Sequence, residues 1–185
     1  LVLGDQLASG DAIVLVESSG IHANGLTMAR SIAGDLSEGY GTKLASGQLY
    51  GEALLKPTHI YVPLVRSLLE AGLDIHYMVN ITGHGWRKIM RATNNFTYTI
   101  TSVPKVPEEF LFIQQQANAT TQEMYGNFNM GAGFAIFVPA GTAQAVVKLA
   151  KESGLKAWVA GTVQSGPKKV VIKPLDIVFQ SDTLG

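Results

Sequence analysis

Residues 12–16 read Ala-Ile-Val-Leu-Val, a short β-branched run suited to a buried strand. Leu26, Ala29 and Ala33 then recur at helical spacing, with Met28 and Ile32 beside them. The join between them is Glu17-Ser18-Ser19-Gly20-Ile21-His22-Ala23-Asn24-Gly25, small residues carrying one imidazole and one amide. Asn24 is a natural N-cap, and Gly20 and Gly25 allow tight backbone. A strand–small loop–helix junction presents free backbone N–H groups, and those attract anions. His22 and Asn24 are therefore expected at the rim of an anion-friendly site. The plain alternative is an ordinary capped turn with an exposed histidine.

The 185 residues suit one domain with a real core. Hydrophobic residues at 46% against 15% charged mark the chain as globular rather than disordered. Fourteen basic and fourteen acidic residues cancel, so there is no basic excess for a nucleic-acid backbone. The absence of cysteine excludes disulfides and thiolate metal sites, and is compatible with a reducing cytoplasm. No apolar run approaches a membrane span, and no basic-then-apolar signal opens the chain. The first residue is Leu1, and residues 1–11 are read as the remnant of an upstream segment.

Residues 34–56, irregular and rich in Gly and Ser, are expected to form a long loop. Thr58 can cap a helix running to residue 71 and ended by Gly72, with Ile60, Leu64 and Leu68 as its buried face; Pro63 fits only its first turn. Residues 74–81 form a strand with imidazole and amide positions. Thr82-Gly83-His84-Gly85-Trp86 then leads into a short helix over 86–92. This is a second candidate anion cradle, with Arg87, Lys88 and Arg91 adding positive charge. Its plain alternative is a Gly-rich connection with solvated basic residues.

Residues 97–101 alternate as a strand, and Pro107, Glu108 and Glu109 start a helix over Phe110, Leu111 and Ile113. Residues 114–121 are polar. Residues 122–131 mix aromatics, amides and Glu123 in a way core packing alone does not require; a capped helix end and turn is the alternative. Residues 133–138 read as a buried strand, and Thr142 caps a helix over Val146, Leu149 and Ala150. A strand over 157–163 is expected to pair back through Gly166-Pro167 with Val170-Val171-Ile172 as a hairpin. Strands and helices alternate while hairpins intrude, which gives an α/β (α+β) mixed β-sheet packed with helices.

Taken together, several stretches are more specific than any one of them. They are Ser18-Ser19-Gly20-Ile21-His22-Ala23-Asn24-Gly25, Leu54-Leu55-Lys56-Pro57-Thr58-His59-Ile60-Tyr61-Val62, Asn80-Ile81-Thr82-Gly83-His84-Gly85 and Glu123-Met124-Tyr125-Gly126-Asn127-Phe128-Asn129-Met130-Gly131. Their order and spacing resemble the C-terminal half of aminoimidazole ribonucleotide (AIR) synthetase, or phosphoribosylformylglycinamidine cyclo-ligase. Residues 12–185 would then be that C-terminal domain.

The resemblance implies an ATP-dependent ring closure in purine biosynthesis, with ATP and magnesium bound mostly by an N-terminal half absent from this chain. It implies a small phosphorylated substrate, a homodimer for the full-length protein, a cytoplasmic location, and no nucleic-acid or membrane partner. Carried onto this sequence, His22 and Asn24 are the catalytic candidates. Ser19, Gly20, Thr82, Gly83, Gly85, Arg91, Glu123 and Asn129 are the substrate and phosphate contacts, and no metal ligand is assigned. The family usually has Ser at Ala23, Gly at His84, Arg-Thr at Gly126-Asn127 and an acid at Gln122. These departures keep two other readings open: a non-catalytic nucleotide- or anion-binding module, and a related kinase or synthetase acting on another small substrate.

Overall fold

The computed structural model describes residues 4–21 and 23–184, with Ala23 and Asn24 as backbone only. A seven-stranded sheet is ordered β2-β4-β1-β5-β3-β6-β7. The strands are β1 (Ala12–Glu17), β2 (Tyr77–Asn80), β3 (Phe96–Ile100), β4 (Ala132–Val138), β5 (Ala157–Ser165), β6 (Lys169–Ile172) and β7 (Ile177–Gln180). Neighbours run antiparallel except for β3 and β6, which are parallel. The sheet is mixed, as the sequence pattern predicts.

β1 is central and covered on both faces, which explains why it reads as an unbroken apolar run rather than an alternating one. Ile13 and Leu15 enter one core with helices α1 (Ala23–Asp35), α2 (Tyr50–Leu54), α4 (Glu108–Ala117) and α5 (Thr121–Asn127). Ala12, Val14 and Val16 enter a second core with α3 (Val62–Glu70) and α6 (Ala143–Glu152). At the far edge, β7 alternates buried and exposed positions as a one-sided strand does.

Some local expectations are corrected. Residues 34–56 are not one loop: α1 runs through Gly34, a 3₁₀ turn forms at Gly39–Gly41, and α2 follows. Tyr50 decides this, because its ring is wholly buried and its hydroxyl donates to Ala29 O at 2.8 Å. α3 starts at Val62 with Pro63 in its first turn, so Thr58 caps nothing and Ile60 is 73% exposed. The 85–90 segment is 3₁₀ rather than α. The polar residues up to 117 continue α4, and Asn118 stops it at φ +51°. β6 does not pair with β5: β3 lies between them, so the expected hairpin is absent.

Candidate functional site

β1 ends at Glu17, and the chain leaves the sheet through Ser18-Ser19-Gly20, where two sets of contacts hold it. On one side stands Asn129, 4% exposed. Its Oδ1 accepts from Ser18 Oγ at 2.8 Å and from Gly131 N at 2.9 Å, and its Nδ2 donates to Gly20 O at 2.9 Å. The Trp86 indole donates to Asn129 O at 2.7 Å, joining the 82–91 segment to the same hub. Met130 beside it is buried and sits at φ +50°, an uncommon conformation for a residue with a side chain.

On the other side lies the 56–61 strip. Ser19 Oγ accepts from His59 N at 2.8 Å, and Tyr61 Oη donates to Glu17 O at 2.7 Å. Burial, with the Glu17 charge nearby, drives the Tyr61 phenol well above its usual range, so it stays a donor. Gly133 accommodates this contact, since a Cβ there would meet the Tyr61 hydroxyl at 2.1 Å.

Between loop and strip opens a groove of about 670 Å³, lined by Ser18–Gly20, residues 56–60, Pro107 and Glu109. A second groove of about 360 Å³ adjoins it through Ser18 and Pro107, and carries Lys105, Lys156 and Trp158. Glu109 is 0% exposed, and Lys56 Nζ lies 3.4 Å from its Oε2. Sequence reasoning passed over Lys56, Glu109, Lys105, Lys156 and Trp158. Glu109 reads there as a helix-start acid and Lys56 as a loop end; only tertiary packing joins them.

The 82–91 segment is arranged differently. Gly85 (φ +53°) packs on the end of α5, where a Cβ would meet Tyr125 O at 2.3 Å and Asn127 N at 2.9 Å. Arg87 spends its guanidinium on backbone carbonyls: Nε and Nη2 donate to Gly126 O at 2.9 and 2.6 Å, and Nη1 donates to Thr183 O. A Cβ on Gly126 would lie 3.3 Å from the Phe179 ring and 3.8 Å from Arg87 Nε, so the guanidinium borders this position without filling it. Arg91 is exposed and Lys88 half-exposed. Burial, and then the charges of Arg87, Lys88 and Arg91, lower the His84 pKa.

Thr82 lines a small recess with Ile21, Gly25 and Asn129, so the two glycine-bearing loops meet there. Ser19 and Gly20 line the large groove. Glu123 stands apart, on a groove with Arg87 and Gly126. Its carboxylate accepts from Thr120 N in a capping box, and that bond holds its pKa below the usual range. His22 and the Asn24 side chain lie outside the described residues. The backbone of α1 begins at Ala23, which puts Asn24 inside the first turn rather than at the cap.

Residues 8–173 match the family model "AIR synthase related protein, C-terminal domain". The chain belongs to that family. Curated relatives include the phosphoribosylformylglycinamidine cyclo-ligases of Methanocaldococcus jannaschii, 36% identical over 88% of this chain and 47% of that protein, and of Rippkaea orientalis, 35% identical over 94% and 52%. The chain thus spans about half the length of the curated relatives it matches. Among solved structures, the hydrogenase maturation protein HypE is similar with a TM-score of 0.62 at 19% identity, over 95% of this chain and 53% of that one. The thiamine-monophosphate kinase of Stenotrophomonas maltophilia gives 0.59 at 19% identity, over 95% and 54%. These two likenesses show the fold.

Proposed function

We propose that this chain is the C-terminal half of an ATP-dependent cyclo-ligase that closes formylglycinamidine ribonucleotide to aminoimidazole ribonucleotide. The observation that carries this is the family match over residues 8–173, together with cyclo-ligase relatives at 34–36% identity. The groove beside Ser18–Gly20 supports it, since a small polar substrate fits between cations and hydrogen-bonding loops.

In this reading His22 gives or takes a proton at the closing ring, because an imidazole does either near neutral pH. Asn24 contacts the substrate. Ser19 and Gly20 form the groove floor, Thr82, Gly83 and Gly85 frame the second loop, and Lys88 and Arg91 supply the field that draws a phosphate. Asn129 acts by holding Ser18 and Gly20 in place, and Glu123 by fixing the start of α5. ATP, when bound, supplies the phosphoryl group that makes the formyl oxygen leave. Magnesium is assigned with ATP to the other half; among the described residues no group of three or more His, Asp or Glu side chains is placed to hold a metal ion. The full-length protein would be a cytoplasmic homodimer; among the described residues no helix is long and apolar enough to cross a membrane.

The test is ADP release by the full-length gene product, with and without formylglycinamidine ribonucleotide. Release that depends on that nucleotide is expected, and His22→Ala should lower turnover far more than folding stability. A folded, intact protein that releases no ADP with it would overturn the reading.

A further inference from the structure

We propose that Glu109 is the acceptor that recognises an amidine group on the ligand of the Ser18–Gly20 groove, with Lys56 as its provisional counter-ion. This deepens the reading above and rests on it. A wholly buried carboxylate needs partners for both oxygens, because a bare one forfeits its hydration without return. Glu109 has half of that. Lys56 Nζ stands 3.4 Å from Oε2, longer than the roughly 2.7–2.9 Å of a strong charge-assisted bond. Oε1 has no hydrogen-bond partner among the described residues.

Position in the first turn of α4 accounts for an acid at this site, since the helix dipole favours it there. It does not account for complete burial with one oxygen bare. That oxygen faces the loop: a Cβ placed on Gly20 would lie 3.6 Å from Oε1 and 3.6 Å from Lys56 Cδ. Glycine at position 20 leaves the gap between loop and carboxylate open, and the Lys56 side chain, 39% exposed, closes its outer side against solvent.

The relatives' name specifies a phosphoribosyl formylglycinamidine, which carries an amidine and a phosphate. An amidinium presents N–H donors in a planar fork that matches a carboxylate. On binding it meets Oε1 and Oε2 and displaces Lys56 outward into solvent. The corresponding amide places a carbonyl oxygen where one nitrogen stood, and two acceptors then face each other. A buried group built to pair with a donor rejects the analogue that lacks it.

The experiment is calorimetric binding of formylglycinamidine ribonucleotide and of its amide analogue, formylglycinamide ribonucleotide, to the full-length gene product. The wild type is expected to prefer the amidine. Glu109→Gln should cut that preference about ten- to hundredfold, the range of a hydrogen bond to a charged group, and leave amide affinity nearly unchanged. Lys56→Met, which does not depend on how Glu109→Gln folds, should raise amidine affinity and not amide affinity. An unchanged preference in folded Glu109→Gln, or equal changes toward both nucleotides in Lys56→Met, overturns this inference and leaves the cyclo-ligase reading standing. Amidine preference without substrate-dependent ADP release overturns that reading alone. Failure of the wild type to bind either nucleotide overturns both.

Discussion

Two segments of this chain share one local signature, a strand running into a glycine-bearing loop and then a helical turn. They are put to different uses. After β1, Ser18-Ser19-Gly20 is braced by the Asn129 side chain and the His59 backbone, and a groove remains open beside it. After β2, the 82–91 turn is filled: Gly85 lies against α5 and Arg87 is consumed by carbonyls. What separates them is the neighbour each glycine faces. Gly20 faces a carboxylate across a gap, whereas Gly85 faces peptide backbone.

The sharpest way to test the contrast is to add the same methyl group to each. Gly85→Ala puts a Cβ 2.3 Å from Tyr125 O at φ +53°, so it combines overpacking against backbone with strain, and about 3 kcal/mol or more is expected. Gly20→Ala meets nothing closer than 3.6 Å and carries only the strain of φ +124°, about 1–2 kcal/mol. Urea unfolding measures both. Equal losses would show that the two loops do not differ as described.

Asn129 is the hub on which the first loop depends. Asn129→Ala strips the partners from Ser18 Oγ, Gly131 N and Gly20 O in a buried setting, and should cost about 2–3 kcal/mol. Amide exchange should speed up at Gly131, whose N–H bonds to Asn129 Oδ1, and remain unchanged at Gly85 and Arg87. Faster exchange in both segments would mean that they form one unit.

Within the second segment the arginines divide. Arg87→Ala should cost about 2 kcal/mol, since it leaves Gly126 O without its charged donor. Arg91→Ala, at an exposed position, should stay within about 0.5 kcal/mol in stability and weaken the affinity of the full-length protein for formylglycinamidine ribonucleotide, the proposed substrate, about tenfold. If Arg91→Ala leaves that affinity unchanged, the segment is packing throughout.

This division bears on what a sequence can reveal. β1, β4 and the helix ends at Gly72 and Gly154 are local matters, and their apolar runs and glycines announce them, whereas the side-chain caps read at Thr58 and Thr142 do not form. Residues 18–25 and 82–91 are legible as glycine-bearing loops for the same reason. Lys56 and Glu109 are 53 positions apart and pair only through the packing of α4 against the first loop. The β5–β6 hairpin failed for a related reason. A Gly-Pro turn between two β-rich runs licenses a hairpin, but nothing local says that β3 will insert between them. Arg87 stands beside Lys88 and Arg91 in the sequence, and only the fold shows that Gly126 and Thr183 consume it.

A third location, at the opposite end of β1 from Ser18, supplies the smallest effect and a control for both loops. His76 Nδ1 donates to Asp11 Oδ2 at 2.7 Å, and Nε2 donates to Asp74 Oδ2 at 3.1 Å. Both nitrogens donate at once only in the imidazolium. Burial pushes its pKa down, but the hydrogen bonds and charges of Asp11 and Asp74 outweigh this and raise it above the usual value. A pKa raised in the folded state contributes stability that is complete below the free imidazole's range, and that fades as pH climbs through the raised value. His76→Gln should therefore lower the urea midpoint more at pH 5 than at pH 9. His84 carries the opposite sign: burial and its cationic neighbours lower its pKa, so its protonation opposes folding as pH falls. His84→Gln should narrow the stability gap to wild type, or reverse it, at the acid end. If both variants follow the wild type in parallel across that range, neither histidine is coupled to the fold, and any pH dependence of ligand binding belongs to the loops themselves.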